Sequence, residues 1–199
     1  MIVVVGVLTA LGGEQLVEWS HRGSEVREAR EALHAELAAN GVTAKFSIEE
    51  AKCLAERMDA YDTWARGGPH PEEIRASFPP FASSNWDAVK SGAVSQMLLK
   101  ERLEYSRYYD GVDNMRWVTE NERGVFLRIM GLAKHEKLTP EESGRLIEDV
   151  GQARLIGRVR TGNVRAQIEK AKALGVEPKP FSQADKVKLT LFCGRPFNG

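Results

Sequence analysis

The sequence predicts an all-α protein in which an N-terminal membrane helix continues into an elongated antiparallel helical bundle, followed by an extended C-terminal tail. Three observations lead to this prediction. Residues 1–13 are apolar and uncharged, long later segments repeat apolar residues with a period near 3.6, and the segment after Pro178 loses that period. We therefore divide the chain into a membrane anchor at 1–19, a helical bundle at 20–178 and an extended tail at 179–199.

The composition is that of one folded domain. The chain has 199 residues, of which 42% are hydrophobic and 28% charged, and its formal net charge is zero. That balance gives no indication of nucleic-acid binding. Residues 151–199 nevertheless hold ten Lys/Arg and three Asp/Glu, so residues 1–150 are acidic. We expect the basic piece to pair with the acidic body, and contact with anionic lipid headgroups is the alternative.

The apolar N-terminal segment is shorter than a complete membrane span. A spanning helix needs ~20 apolar residues, about 30 Å, whereas thirteen residues reach only about 20 Å. Extending the span to Trp19 would bury Glu14 and Glu18. We therefore expect an anchor that is incomplete at its beginning, with Met1 not the natural start. A core element of a soluble protein and a cleaved signal peptide are the alternatives.

Two helices are expected in the first third of the chain. The first is amphipathic, continues from the anchor and stops at Asn40-Gly41, a typical C-terminal end. The second begins at Ser47, because Glu50 follows three residues later as in a capping box. It ends before Gly67.

The rest of the bundle is expected to contain three further helices. Residues 67–83 are rich in proline and predict a loop, after which Ser84 caps a helix. A long helix is expected from Glu101 to about Lys134. The sequence Thr139-Pro140-Glu141-Glu142 then combines an N-cap, a proline at the first helical position and acidic residues in the first turn.

The last of these helices is expected to run to Leu174-Gly175. The link that precedes it is short, so the last two helices should be antiparallel neighbours. Val187–Phe192 alternates like a strand, but no partner strand is evident, so we expect this tail to lie extended along the bundle.

The sequence contains none of the common catalytic patterns. We find no glycine-rich phosphate loop, His-Glu-x-x-His pair, Cys-x-x-Cys pair or Gly-x-Ser-x-Gly elbow. We therefore predict no catalytic, cofactor-binding or metal-binding residues, no cofactor, and no enzyme activity. The candidate binding residues are Arg154, Arg158 and Arg165, which lie close together on a helix and suit a phosphate or an anionic lipid. A solvated face paired with the acidic first helix is the alternative.

The two cysteines, Cys53 and Cys193, are candidates for a disulfide. In an exported domain the bond would tie the tail to the second helix, and closing so long a loop would stabilise the fold by ~4–5 kcal/mol on the chain-entropy model. The alternative is two unrelated core residues.

Several segments together resemble a broad group of uncharacterised bacterial single-pass membrane proteins. They are Val3–Leu8, Leu11–Trp19, the charged helix that follows, Trp86–Gly92 with its aromatic-x-x-x-x-Ser-Gly pattern, and Tyr108-Tyr109. The resemblance implies a single membrane span and a helical domain outside the cytoplasm, and it implies no activity. This chain lacks the basic cytoplasmic leader that is usual in the group.

These observations lead to two hypotheses of function. The first is a membrane-tethered helical accessory or interaction protein, a subunit of a larger complex in the bacterial inner membrane. Its partners would be membrane lipid and either another protein or a second copy, but not nucleic acid. The second is a periplasmic sensor or small-ligand-binding domain, with a cavity lined by Tyr108, Met115 or Trp86. The arginines after the anchor favour a cytoplasmic domain, whereas the resemblance and the possible disulfide favour the periplasm, which we expect.

Overall fold

The computed structural model describes residues 2–73, 75 and 77–194, with side chains from Trp19 onward. All regular structure in these residues is helical, which confirms the all-α prediction. The elements are α1 (Ile2–Ala65), α2 (Ser84–Val89), a 3₁₀ turn (Ala93–Gln96), α3 (Leu99–Leu132), α4 (Pro140–Ala173) and α5 (Gln183–Cys193). Of the expected tail, residues 195–199 lie outside the described part.

The three long helices pack together, and α4 contacts both others. Arg128 of α3 lies against Asp149 of α4, and Glu122 lies against Arg160. Residue numbers thus rise along α3 while they fall along α4, so these two helices are antiparallel, as the short link between them predicts. α1 and α4 are antiparallel for the same reason, since Glu50 pairs with Arg160 and Asp59 pairs with Arg154.

The predicted helix end at Asn40-Gly41 is wrong, because α1 continues through it without a break. The buried Asn40 side chain exchanges two hydrogen bonds with the backbone of Ala82, each 2.8 Å long. Gly41 lies against Pro178, whose Cβ would be only 2.9 Å from a Cβ at position 41. Both residues therefore serve tertiary contacts rather than a helix end, and Ser47 with Glu50 does not form the predicted cap.

The prediction of an extended tail is also wrong, since residues 183–193 form α5. The Ser182 hydroxyl accepts from the amide of Asp185, and the Asp185 carboxylate accepts from the amide of Ser182, which makes a complete capping box. Leu189 and Phe192 are buried on one side of the helix. Spacing by three residues places both on one helical face, which the strand-like alternation of this segment concealed.

The cap at the start of α4 is confirmed. The Thr139 hydroxyl accepts from the amide of Glu142, and the Glu142 carboxylate accepts from the amide of Thr139. Pro140 occupies the first helical position.

Thr139→Ala should lower the free energy of unfolding by about 1 kcal/mol, because the hydroxyl satisfies an otherwise unpaired amide at the helix start. Urea unfolding followed by circular dichroism measures this change. Glu148→Ala, a substitution of an exposed residue within α4, is the control and should have a much smaller effect. Equal stability of the two variants would contradict the role of the cap.

The core consists of two hydrophobic clusters along the bundle. One includes Leu33, Leu37, Tyr105, Val112, Met115 and Val164. The other includes Leu54, Met58, Phe126, Ile129, Leu146 and Val150. Each long helix has one charged, buried residue between the two clusters: Glu50 in α1, Glu122 in α3 and Arg160 in α4. We call these three residues the ionic layer.

Among the residues whose side chains the structure describes, no helix is both long and apolar enough to cross a membrane. The side chains of residues 2–18, which make up most of the expected anchor, lie outside that part.

Candidate functional site

The ionic layer joins the three long helices in the interior of the bundle. Arg160 Nη1 donates a hydrogen bond of 3.1 Å to Glu50 Oε2, and Arg160 Nε lies 3.1 Å from Glu122 Oε2. Glu50 Oε1 also accepts a 2.9 Å hydrogen bond from the backbone amide of Ser77. All three charged side chains are at least 97% buried. Two carboxyl groups therefore share one guanidinium away from water.

The hydrogen bonding of this layer is incomplete. Within the described residues, Arg160 Nε, Arg160 Nη2 and Glu122 Oε2 have no hydrogen-bond partner. A buried donor of a charged group that lacks a partner costs free energy, typically more than a neutral one. Arg160 Nε and Glu122 Oε2 face each other across the ion pair, so Arg160 Nη2 is the donor for which a ligand atom would be a suitable partner.

Burial changes the protonation of both carboxyl groups. It raises the pKa of Glu50 from its usual 4.5 to about 7, against the opposing effect of the Arg160 charge. Burial also raises the pKa of Glu122. Titration of Glu50 near neutral pH thus changes the charge of the layer by one unit.

Glu50 should make the stability fall as the pH rises from about 4.5 to about 7. Its pKa is higher in the folded than in the unfolded chain, so the folded state binds this proton more tightly, and that stabilisation is lost once both states are ionised. The loss should be on the order of 3 kcal/mol. Unfolding free energies measured across this range should show it as a difference in slope between the protein and Glu50→Gln. Parallel profiles would contradict it.

A cavity of about 540 Å³ lies beside the ionic layer, between α1, α3 and α4. Its volume is within the range of small-molecule sites. Arg160 and Glu122 are part of its wall. The remaining lining is partly apolar, from Ala51, Leu54, Ala55, Met58, Phe126, Ala153 and Gly157, and partly polar, from Asp59, Arg154, Arg158, Thr161, Gly162 and Arg165.

The structure brings all three candidate arginines to this cavity. Arg154 pairs with Asp59 of α1, as expected for a basic C-terminal piece against an acidic body. Arg158 and Arg165 are exposed, and neither makes an ion pair within the described residues. The cavity therefore has an excess of positive charge on the side of Arg158 and Arg165.

The other candidate pair forms a disulfide in the structure. Cys53 of α1 and Cys193, the last residue of α5, are bonded, with their Cα atoms 5.4 Å apart. Arg57 supports the same junction, since its Nη1 donates to the carbonyl of Glu73 and its Nη2 to that of Phe192. The bond holds α5 against α1.

The residues that we expected to line a cavity belong to the core instead. Tyr108 and Met115 are buried to 99% or more in the first hydrophobic cluster. Trp86 stacks on Tyr109 at a ring-centroid distance of 4.8 Å. Glu36 holds this aromatic pair in place, because its carboxylate accepts hydrogen bonds from the Tyr109 hydroxyl and the amide of Asn85. None of the three expected residues lines the cavity beside the ionic layer.

The sequence interpretation missed the residues at the centre of the site. Glu50 was assigned to a helix cap, and Glu122 received no role. A signal was present, because each replaces an apolar residue in a helical stripe: Glu50 precedes Cys53 and Leu54 by three and four residues, and Glu122 precedes Val125 and Phe126 in the same way.

Comparisons with known proteins leave the site to be interpreted from its geometry. No protein-family model matches the chain, and no curated protein or solved structure matches it either.

Proposed function

We propose that this chain is a helical binding domain that takes a small anionic molecule into the cavity between α1, α3 and α4. The observation that carries the proposal is Arg160, a buried residue of the cavity lining whose Nη2 has no hydrogen-bond partner in the part of the chain that the structure describes. A carboxylate or phosphate oxygen would supply that partner, and guanidinium groups favour both. The proposal corresponds to the small-ligand-binding hypothesis. The cavity, however, lies beside the ionic layer and not beside Tyr108, Met115 or Trp86.

The charges around the cavity support an anion rather than a cation. Among the described residues, no carboxylate forms an ion pair with Arg158 or Arg165, whereas Glu50 and Glu122 both pair with Arg160. Protonation of Glu50 near neutral pH would add to the positive excess. Exposed arginines at the rim would attract the anion, and the buried one would orient it.

Thermal unfolding of the purified full chain with a panel of anions tests this function. The panel should hold inorganic phosphate, sulfate, short and long carboxylates and alkyl phosphates at constant ionic strength. We expect at least one to raise the melting temperature, with a stabilisation of ~2.7 kcal/mol at a concentration of 100 times its Kd. Arg158→Gln/Arg165→Gln should abolish the rise, and Arg107→Gln/Arg145→Gln, which removes the same charge from other exposed positions, should keep it. No rise with any anion, or an equal rise in both variants, would overturn the proposal.

A second candidate, the membrane-tethered accessory protein, is favoured by the start of α1. The side chains at 19–23 are exposed, and α3 begins beside Arg30, whose guanidinium binds the Glu101 carboxylate at 2.7 and 2.9 Å. The helix thus extends beyond the bundle toward the apolar residues 2–13. On this proposal the domain is periplasmic and anchored in a bacterial inner membrane, and the disulfide suits that oxidising compartment.

Fractionation of bacterial cells tests the tether. The full chain should remain with the membranes after alkaline carbonate extraction, whereas a chain that begins at Trp19 should be released. A tagged full chain purified from those membranes in mild detergent should then retain a specific protein partner. Release of the full chain by carbonate would overturn the tether, and purification without any partner would overturn the accessory role.

A further inference from the structure

The cavity is divided into an apolar end and a basic end along the axis of α4. Ala153, with Met58 of α1 and Phe126 of α3, forms the apolar end, and these three residues are buried and belong to one hydrophobic cluster. Thr161, Gly162 and Arg165 lie at the other end. Twelve residues separate Ala153 from Arg165, which corresponds to about 18 Å along the helix.

The charges follow the same division. At the apolar end the positive charge of Arg154 is matched by Asp59, so that end carries no net charge. Arg165 at the other end has no ion-pair partner within the described residues, and neither has Arg158, which precedes Arg160 on α4. Arg158 and Arg160 lie between the two ends, and Arg160, whose buried Nη2 has no hydrogen-bond partner among the described residues, belongs to the cavity lining. A ligand that fits this distribution has one negative group and one extended apolar part.

The apolar end offers little to a polar ligand. The side chains of Ala153, Met58 and Phe126 present carbon and sulfur atoms, which neither donate nor accept strong hydrogen bonds, and the polar groups of Arg154 and Asp59 bind each other. A nucleotide base or a sugar placed there would lose its hydrogen bonds to water without replacement. A hydrocarbon chain would lose nothing polar and would gain the free energy of burial.

From this arrangement we propose that the ligand is a single-chain anionic amphiphile, with its carboxylate or phosphate head at Arg158, Arg160 and Arg165 and its hydrocarbon chain toward Met58 and Phe126. This inference rests on the proposed function and specifies its ligand class. Gly157 and Gly162 of α4 both line the cavity and contribute no side chain to obstruct the path of the chain.

Calorimetric titration of the full chain with straight-chain carboxylates, from acetate to dodecanoate and below their micelle concentrations, tests the ligand class. Each added methylene should tighten binding by up to roughly fourfold, the value for full burial, until the cavity is full. Dodecanol, which has the same chain and no charge, should bind at least tenfold more weakly than dodecanoate. Dodecyl phosphate, titrated in parallel, identifies the head: tighter binding than dodecanoate assigns a phosphate ester, and weaker binding a free carboxylate.

A substitution at the apolar end tests the placement of the chain. Ala55 lines the cavity but is exposed, so Ala55→Phe should fill the space without disturbing the core. It should weaken dodecanoate binding more than tenfold and leave the affinity for acetate within twofold. Ala166→Phe, at an exposed position of α4 outside the cavity lining, is the matched control and should bind dodecanoate normally.

The outcomes separate this inference from the proposed function. Binding of short anions that depends on Arg158 and Arg165, without any gain from chain length, would overturn the amphiphile and leave the anion-binding function in place. Dodecanol binding as tightly as dodecanoate would overturn the anionic head. No binding by any anion, with or without a chain, would overturn both.

Discussion

Arg160→Met should destabilise the protein by about 3–5 kcal/mol, a large part of the stability of an ordinary domain. The substitution leaves Glu50 and Glu122 buried with no positive charge near them, and removal of one partner of a buried ion pair is far more costly than loss of an exposed pair. Urea unfolding at pH 8, above the Glu50 pKa of about 7, should show the full effect. At pH 5 the loss should be smaller, because the raised pKa of Glu50 lets that carboxyl take up a proton.

Two further variants make this expectation specific. Arg145→Met removes an exposed guanidinium that pairs with Glu141 one helical turn away, and it should change the stability by less than 1 kcal/mol. Replacement of the whole ionic layer, as Glu50→Met/Glu122→Leu/Arg160→Met, should recover most of the stability that Arg160→Met loses, since no unpaired charge remains. A triple variant as unstable as the single one would show that packing, rather than charge, causes the loss.

Removal of the disulfide should have an effect of similar size. Cys53→Ala/Cys193→Ala opens a loop whose ends are 140 residues apart in sequence, and the chain-entropy model gives a loss of about 5 kcal/mol for a loop of this length. Most of this change arises in the unfolded chain, which gains freedom when the bond is absent. Urea unfolding of the protein and the variant, both under oxidising conditions, measures it.

The effect of the bond on α5 can be measured separately. Hydrogen exchange should become faster in residues 183–193 of the double variant, whereas α3 and α4 should keep their order of protection. Val187→Ala, an exposed change in the same helix, is the control and should leave exchange in α5 nearly unchanged. Equal unfolding free energies for the oxidised protein and the double variant would contradict the stabilising role of the bond.

Local signals in the sequence were sufficient to predict helices whose bounds depend on residues that are close in sequence. The cap at Thr139 and the spacing of apolar residues in α3 and α4 predicted both helices to within about two residues, because capping and amphipathic periodicity depend on near neighbours. The placement of Arg154, Arg158 and Arg165 along one region of α4 followed from the same periodicity.

The sequence was insufficient to predict features that depend on contacts between residues far apart in the chain. Asn40 and Gly41 have the composition of a helix end, but Ala82 and Pro178 approach them from segments 42 and 137 residues away, and α1 continues. The cavity could not be placed for the same reason. Its wall combines residues of three helices, and their alignment depends on contacts such as Glu50–Arg160 that span 110 residues.

The ionic layer has a further consequence for how the three long helices choose their alignment. Apolar stripes alone tolerate a longitudinal shift of one helix by a turn, because one buried leucine can replace another. Here a shift of any long helix by one turn, about 5.4 Å, would move a carboxylate or the guanidinium into a hydrophobic cluster without its counter-charge. The three charged residues thus specify the register of the long helices, because they destabilise shifted alignments. A single buried polar residue selects the register of a coiled coil in the same way.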